Sequence, residues 1–286
     1  MIIVTGATGQ LGSQVVEHLL QRLPADQVGV SVRDPARAEG LTARGVRVRR
    51  GDFTDPGTLR SAFEGASQVL VVSVDVLGEE GVVQATTAAD AAYRAGAERV
   101  LYTSHQAAHP QSLFAPARDH AAVEAHLEAS GRHYTSLRNG YYATSLQFHL
   151  GDAAQSGKLA RPADGPVSWT SRADLAEAAA AILLDEGRFD GSTPPLTAGE
   201  AVDLEEVAAV LSRVTGRPVQ RVVVDDEEWV ADRIADGLPE PVARMLLGSY
   251  LATRRGEFAV TDPMLEALLG RRPRSVEDAL RAAVTE

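Results

Sequence analysis

The first twelve residues hold the feature that most restricts what this chain can fold into. Ile2, Ile3 and Val4 form a short β-branched run, and residues 6–12 then follow the pattern Gly-x-x-Gly-x-x-Gly. A strand before this pattern and an amphipathic run after it are typical of the turn between the first strand and first helix of a dinucleotide-binding fold. We therefore predict a helix that begins near Gln10 and directs its free N–H groups at a pyrophosphate.

Each glycine of the turn has a predicted role in cofactor binding. Gly6 allows a tight turn out of the strand, and Gly9 lets the backbone approach a pyrophosphate with no Cβ in the way. The third glycine lets the helix pack close to the sheet. The predicted cofactor-binding residues of this turn are Gly6, Thr8, Gly9, Gln10, Leu11 and Gly12.

Composition excludes several classes of protein. The 286 residues carry a formal net charge of −11 and include no cysteine. The acidic balance argues against binding nucleic acid or an anionic membrane surface, and the lack of cysteine excludes disulfides and thiolate metal sites. No apolar run approaches the roughly 20 residues that cross a bilayer, and no basic segment of a signal peptide precedes the first strand. We expect a cytoplasmic protein with a small-molecule substrate, and a homodimer stays open.

Short apolar strands alternate with helical segments as far as about residue 142. This alternation predicts a doubly wound α/β Rossmann fold, with a parallel sheet covered by helices on both faces. The predicted strands after the first are residues 28–32, 46–49, 68–73, 99–104 and 134–138, and the predicted helices between them are residues 35–44, 56–64, 82–95 and 118–130.

The pattern changes in the second half of the chain. Residues 151–166 are rich in Gly, Pro and small polar residues, and we predict a loop there. We predict a NAD(P)-binding Rossmann domain over residues 1–150 and a C-terminal substrate region over residues 151–286. That region forms a smaller α/β lobe that covers the cleft and is partly interleaved with the sheet. Its predicted elements are strands at 167–169 and 222–224, a helix at 172–185, and a helix that begins near 202–206 and stops at Gly216.

Ligands of parallel α/β sheets bind at the carboxyl ends of the strands. The corresponding residues after the glycine turn are Arg33, Asp52, Phe53, Ser73, Ser104, His105, Asn139 and Gly140.

The end of the second strand bears on the choice of dinucleotide. Arg33 follows that strand and Arg37 lies one helical turn later; a guanidinium there suits the 2′-phosphate of NADP. Asp34 keeps NAD open, because a carboxylate one residue away suits a free ribose, and both arginines also fit solvated surface charge. Asp52 is placed to accept from the adenine amino group, while Phe53 either packs on the ring or belongs to the core.

The usual Tyr-x-x-x-Lys pair of short-chain dehydrogenases cannot exist in this chain. The only lysine is Lys158. Tyr134 and Arg138 have the spacing but lie on a predicted strand, where they are roughly 13 Å apart. His120 takes the place of the lysine in sequence order, and it can donate a hydrogen bond or proton, or orient the nicotinamide ribose. Glu124 lies four residues later, so a surface pair is the alternative.

Several further motifs resemble one family. They are Val-Arg-Asp-Pro at residues 32–35, Tyr-Thr-Ser at 102–104, Asp-His-x-x-x-Glu at 119–124, Leu-Arg-Asn-Gly-Tyr-Tyr at 137–142 and Ser-Arg-Ala-Asp at 171–174. Together with the glycine turn they resemble the NmrA-like atypical short-chain dehydrogenases, and within them the bacterial type 2 NADPH:quinone oxidoreductases. The resemblance implies an enzyme that passes hydride directly from NADPH to a quinone without flavin.

The resemblance also carries roles to single residues. It places Ser73 and Val74 on the adenosine side, and Asn139 and Gly140 beside the nicotinamide. The Asn139 amide is suited to donate toward a developing oxyanion. Tyr141 and Tyr142 either stack on a flat aromatic substrate or pack under the lid.

The loop that holds His105 and His109 departs from the family pattern. These histidines can recognise a polar or acidic substrate, but no third ligand for a metal is evident, and we predict no metal site. Two alternatives to quinone reduction stay open. One is a tailoring reductase in which His105, His109 or a tyrosine donates a proton, and the other is a regulator that senses NADP(H).

Overall fold

Seven strands form one parallel sheet in the order β3-β2-β1-β4-β5-β6-β8, and β7 pairs with β9 in a separate parallel sheet. The protein is described from a computed structural model over residues 1–285. The strands are β1 (Ile2–Thr5), β2 (Val28–Val32), β3 (Arg47–Arg50), β4 (Gln68–Val71), β5 (Arg99–His105), β6 (His133–Asn139), β7 (Lys158–Pro162), β8 (Gly191–Ser192) and β9 (Gln220–Val224).

Helices connect these strands and complete the C-terminal part. They are α1 (Gln10–Leu20), α2 (Glu39–Ala43), α3 (Pro56–Phe63), α4 (Glu79–Arg94), α5 (Ala115–Ala129), α6 (Leu146–Leu150), α7 (Ala153–Ser156), α8 (Arg172–Leu184), α9 (Leu204–Thr215), α10 (Asp226–Ala235), α11 (Glu240–Arg254), α12 (Met264–Leu269) and α13 (Val276–Thr285). No helix among residues 1–285 is both long and apolar enough to cross a bilayer.

The central sheet has a hydrophobic core on each face. Successive residues of a strand point to opposite faces, so Val4 packs with residues of α1 and α8 while Ile3 packs with residues of α3, α4 and α5. Both side chains are fully buried. This arrangement confirms the predicted α/β class, a parallel sheet with helices on both faces.

The prediction of a loop over residues 151–166 is wrong. This stretch contains α7 and β7, separated by Gly157 in the left-handed conformation at φ 72°. The partner of β7 is β9, with Lys158 opposite Gln220, so the strand depends on a contact about sixty residues away that local composition does not reveal. Leu159, which is fully buried, anchors it in the core of the C-terminal part. Residues 167–169, predicted as a strand, make only an isolated bridge from Val167 to Val202.

The second half of the chain contributes both to the central sheet and to a core of its own. Strand β8 pairs with β6, and α8 packs against α1. A separate core contains residues of α9, α10, α11 and the β7–β9 sheet. The boundary at residue 150 stays a prediction, and Glu286, the last residue of the predicted C-terminal region, lies outside the described residues.

Candidate active site

The predicted cleft residues lie along one edge of the central sheet, because all of its strands are parallel. The chain runs outward from β1 to β3 on one side, and from β4 to β6 on the other. Strand order therefore reverses between β1 and β4, which is where open α/β sheets bind their ligands. Arg33 and Asp52 lie on one side of the glycine turn, and Ser73, His105 and Asn139 lie on the other.

The glycine turn has the geometry that a pyrophosphate requires. Gly6 has φ 60°, and the Gly9 N–H donates to the Gly6 carbonyl at 2.9 Å. Helix α1 begins after Gly9 without a side-chain cap, so its first N–H groups are left for a ligand. A Cβ added at Gly12 would lie 2.4 Å from the Gly6 oxygen. The turn therefore fits a dinucleotide, and no larger residue fits at the third glycine.

Arg33, Asp52 and Phe53 mark the other half of the predicted cofactor site. Arg33 is exposed and bears no hydrogen bond or ion pair among those found in residues 1–285. The Asp52 carboxylate accepts from the Thr54 N–H at 3.0 Å and from its hydroxyl at 2.8 Å. These bonds, followed by the nearby Arg33 charge, lower the pKa of Asp52. Phe53 is half-buried and packs at the margin of the core under α3 and α4.

A cavity opens between the ends of β4 and β5. Ser73, Val74, Tyr102 and His120 line it, together with residues of α4 and α5. The Thr103 hydroxyl accepts from the Ser73 N–H at 2.8 Å and donates to the Ser73 hydroxyl at 3.1 Å, which fixes the end of β4 against β5. We call this space the β4–β5 cavity. It brings two predicted cofactor residues and one predicted catalytic residue together.

His105 and His120 form a stacked pair beside this cavity. Their ring centroids are 6.0 Å apart with an interplanar angle of 17°. His105 Nδ1 accepts from the Ala107 N–H at 3.1 Å, and the Tyr102 hydroxyl lies 2.8 Å from His120 Nδ1. Burial, and then the charge of His120, lowers the pKa of His105 to about 3, and burial lowers the pKa of His120 to about 4. Both imidazoles are neutral at pH 7, so they can donate hydrogen bonds but are not acids there.

The surface pair between His120 and Glu124, which was the alternative to a functional role for His120, is not formed. Glu124 is buried, and its carboxylate accepts from Arg138 Nη2 at 2.6 Å and Nε at 3.1 Å. It also accepts from the Ser104 hydroxyl at 2.6 Å. Ser104 therefore serves to tie α5 to the ends of β5 and β6, and its hydroxyl is already engaged without a cofactor.

Asn139 ends β6 next to the sheet edge. Its side chain is buried, and Oδ1 has no hydrogen-bond partner among residues 1–285. An unpaired buried amide oxygen is a costly feature that a ligand donor can satisfy. Gly140 is held by the Leu196 carbonyl at 2.8 Å, and an added Cβ would lie 2.1 Å from the Thr170 hydroxyl.

Tyr142 and Tyr141 have different surroundings. The Arg172 guanidinium lies 4.7 Å from the Tyr142 ring centroid and also donates to the Gln10 side chain of the glycine turn. Burial raises the pKa of Tyr142, and Arg172 opposes that rise. Burial also raises the pKa of Tyr141 to about 12, while a hydrogen bond to Ser249 lowers it in part.

Aromatic rings surround Tyr141 and His105. Phe258 lies 5.0 Å from the Tyr141 centroid and 5.4 Å from that of His105, and Phe114 lies 5.9 Å and 5.8 Å from the same two rings. A second cavity, lined by Tyr141, Trp169 and Phe258 among others, continues into the C-terminal core. Phe114 and Phe258 are buried, so they pack behind the half-buried ring of Tyr141, which is the apolar ring available to a flat molecule.

His109 takes no part in this group. It is exposed, and its Nδ1 accepts from the Gln111 N–H at 3.1 Å. Among residues 1–285, no three His, Cys, Asp or Glu side chains come together as metal ligands.

Sequence reasoning missed Tyr102, Arg172, Phe114 and Phe258. Tyr102 belongs to the Tyr-Thr-Ser motif, but in a buried strand it has the pattern of a core residue. The two phenylalanines come from distant parts of the chain. Arg172 had a signal, because it belongs to the Ser-Arg-Ala-Asp motif, but nothing local indicates that it reaches Gln10.

Comparison with known proteins gives one family. A sequence model of the NmrA-like family matches residues 1–280. Quinone oxidoreductase 2 of Escherichia coli (strain K12) is 34% identical over 273 residues, which cover 94% of each chain. The NAD(P)H azoreductase of Xenophilus azovorans is 32% identical over 245 residues, which cover 85% of this chain and 84% of that protein.

Solved structures agree over the whole chain. The NADPH-dependent quinone oxidoreductase of Escherichia coli in complex with NADPH has a TM-score of 0.92 at 32% identity and covers 100% of both chains. Triphenylmethane reductase of Citrobacter sp. in complex with NADP(H) has a TM-score of 0.90 at 34% identity, over 99% of this chain and 100% of that one. The likeness therefore extends past the glycine turn to the helices that follow residue 150.

Proposed function

The chain belongs to the NmrA-like family, and from that premise we propose that it is an NADPH-dependent oxidoreductase that reduces a quinone or a similar electrophilic acceptor without flavin. It is an oxidoreductase, as its named relatives are, which favours an enzyme over the regulator that the sequence left open. The finer assignment of quinone as acceptor rests on the chemistry of the cleft.

The observation that carries this proposal is the burial of the titratable side chains at the cleft, with the stacked His105 and His120 beside the β4–β5 cavity and Tyr141 on the second cavity. His105 and His120 are shifted down to about 3 and about 4, and Tyr141 is shifted up to about 12. None of these groups titrates near pH 7, where a general acid for ketone reduction works best. A quinone is electrophilic enough to accept hydride with hydrogen bonds alone. The site therefore suits an acceptor that does not need a strong proton donor.

The walls of the site favour the same class of acceptor. The half-buried ring of Tyr141 offers flat apolar surface, backed by the buried rings of Phe114 and Phe258, while His120 and Asn139 offer neutral polar groups. A planar molecule with carbonyl oxygens at its edge can stack on such a ring and receive hydrogen bonds at those oxygens. We assign the Asn139 Nδ2–H group, and not the unpaired Oδ1, as the donor to an oxyanion that develops during reduction.

The cofactor would occupy the edge from Arg33 to Asn139. The uncapped start of α1 would hold the pyrophosphate, and the free guanidinium of Arg33 would hold the 2′-phosphate of NADP. Bound NADPH would supply the hydride. Ser73 and Val74 would lie along the cofactor where the β4–β5 cavity opens.

The test is oxidation of NADPH by purified protein with a panel of benzoquinones and naphthoquinones and with no added flavin. We expect turnover with NADPH and much less with NADH. A parallel assay with a saturated ketone of similar size should give little turnover. Tight NADPH binding with turnover of the ketone alone would instead support the tailoring reductase.

Asn139→Ala tests the role of the Asn139 amide in the reaction. We expect a fall in kcat of roughly 100-fold, the usual effect of removing an oxyanion donor, with little change in NADPH affinity. Thr144→Ala, an exposed change five residues later, should leave both values at those of the unmodified protein. An unchanged kcat in Asn139→Ala would remove this residue from the reaction.

A further inference from the structure

The contact between Tyr102 and His120 carries an inference beyond the cofactor site. The Tyr102 hydroxyl lies 2.8 Å from His120 Nδ1, and the two rings tilt toward each other with centroids 5.6 Å apart. Both side chains line the β4–β5 cavity beside Ser73 and Val74. Tyr102 belongs to β5, whereas His120 belongs to α5, so the contact joins a rigid strand to the helix that bears the histidine.

The direction of this hydrogen bond follows from the partners that are present. Tyr102 is buried, and within residues 1–285 its hydroxyl finds no acceptor other than His120 Nδ1. If Nδ1 carried the proton, the tyrosine O–H would be left buried and unpaired, at a cost. The arrangement that satisfies both groups has the O–H donating to a bare Nδ1. A neutral imidazole then carries its proton on Nε2.

We propose that Tyr102 is a positioning residue that fixes the Nε2–H tautomer of His120, so that this N–H donates a hydrogen bond to the substrate oxygen. His120 Nε2 has no hydrogen-bond partner among residues 1–285, and the side chain is half-buried, so this nitrogen is available to a ligand. His105 has the same tautomer for an independent reason, since the Ala107 N–H can only donate to its Nδ1. The stacked pair thus holds two imidazoles with bare Nδ1 atoms.

The inference rests on the proposed function, because the quinone supplies the oxygen that receives the bond. Reduction transfers one hydride, that is two electrons and one proton, from NADPH to the quinone, and NADPH leaves as NADP⁺. The product is a hydroquinone monoanion, and it takes its remaining proton from water. His120 gives up no proton in this sequence: its Nε2–H stabilises the anionic oxygen, as a neutral imidazole can in a site that holds it rigidly.

The experiment is a paired NMR and kinetic study of Tyr102→Phe. Long-range ¹H–¹⁵N correlations of histidine rings show which nitrogen carries the proton, and loss of signals in His120→Gln assigns the His120 ring. We expect a pure Nε2–H tautomer in the unmodified protein and a mixture of tautomers in Tyr102→Phe. With naphthoquinone, kcat should fall roughly three- to tenfold, as for loss of one neutral hydrogen bond, while the Kd for NADPH stays unchanged.

Tyr134→Phe is the matched control. Tyr134 is also a tyrosine in a strand, but it lies near the start of β6, whereas the proposed site lies at the end of β6 with Asn139. It should match the unmodified protein in spectrum and rate. A proton on Nδ1 in the unmodified protein overturns the proposal, and this measurement needs no variant to fold. An unchanged tautomer in Tyr102→Phe, or a changed tautomer with unchanged kcat, also overturns it. If the unmodified protein does not turn over quinones, the proposed function fails, while the spectrum still decides the role of Tyr102 toward His120.

Discussion

Glu124 forms its ion pair with Arg138, at 2.6 Å, and not with His120, which lies one helical turn earlier on α5. The Glu124 side chain is 9% exposed and that of Arg138 is 33% exposed. The same carboxylate accepts from Ser104. This pair joins α5 to the ends of β5 and β6, at the residues that immediately precede His105 and Asn139. His120 therefore forms its hydrogen bond with the Tyr102 hydroxyl and not with Glu124.

Removal of this carboxylate should destabilise the fold. Glu124→Ala leaves a half-buried guanidinium and a buried hydroxyl without their partner, and we expect the free energy of unfolding to fall by about 2–3 kcal/mol. Urea denaturation at pH 7 measures the change. Glu128→Ala, at an exposed position on the same helix, should change it by less than about 0.5 kcal/mol. Equal effects of the two substitutions would show that the ion pair contributes little.

The sequence was sufficient to predict those elements whose residues are determined by their immediate neighbours in the chain. The bounds of β2 agree residue by residue with prediction, because a short apolar strand between turns has few alternatives. Contacts between distant segments escaped prediction. Strand β7 needs β9 as its partner, and Phe258 reaches His105 from the far end of the chain. Tyr102 belongs to the Tyr-Thr-Ser motif, but that motif does not indicate that its hydroxyl reaches His120 on α5.

Gly12→Ala should disrupt the glycine turn. An added Cβ would meet the Gly6 carbonyl oxygen at 2.4 Å and its carbon at 2.8 Å, and a backbone cannot yield as a flexible side chain does. We expect NADPH affinity to fall by more than roughly tenfold and stability to fall by about 1–3 kcal/mol. Fluorescence titration and thermal unfolding measure the two effects.

The same substitution at Gly40 is the control. Gly40 lies in α2, and a Cβ there would meet nothing within 4 Å. Gly40→Ala should keep NADPH affinity and raise stability slightly, because alanine favours a helix over glycine by about 1 kcal/mol. If both variants bound NADPH equally well, close packing at Gly12 would not be what the cofactor requires.

Charge reversal at Arg33 tests the choice of dinucleotide. Arg33 follows β2, is exposed and lies near Asp52. Arg33→Glu removes a phosphate ligand and adds repulsion, so we expect NADPH affinity to fall by at least roughly 100-fold and NADH affinity to change little. Arg132→Glu, at the opposite end of the sheet just before β6, should leave both unchanged. Equal losses of NADPH and NADH would contradict the phosphate role.

Buried neutral histidines should make the fold sensitive to mild acid. Burial lowers the pKa values of His120 and His149 to about 4, and that of His105 to about 3. A histidine in the unfolded chain titrates at about pH 6.5, its reference value. Below that pH the unfolded chain binds more protons than the native protein, so the free energy of unfolding decreases as the pH is lowered. Each histidine contributes a slope of at most about 1.4 kcal/mol per pH unit between about pH 6.5 and its native pKa.

Urea midpoints at pH 7, 6 and 5 measure this slope, above the range in which most carboxylates titrate. His149→Phe should flatten it, because one proton-binding group is removed. A midpoint that stays constant from pH 7 to pH 5 would mean that these histidines are not held neutral.

Asp174 should secure the C-terminal segment against α8. Its carboxylate is fully buried and accepts from the Arg274 N–H at 2.7 Å and from the guanidinium groups of Arg271 and Arg274. Asp174→Asn keeps the shape but removes the charge, and we expect a loss of about 2–3 kcal/mol together with faster amide exchange in α13. Glu177→Gln, whose side chain is 33% exposed and contacts Arg271 alone, should cost less than about 1 kcal/mol. If the two substitutions lowered the free energy of unfolding equally, the buried carboxylate of Asp174 would contribute no more than the exposed Glu177–Arg271 pair, and the proposed role of Asp174 would be wrong.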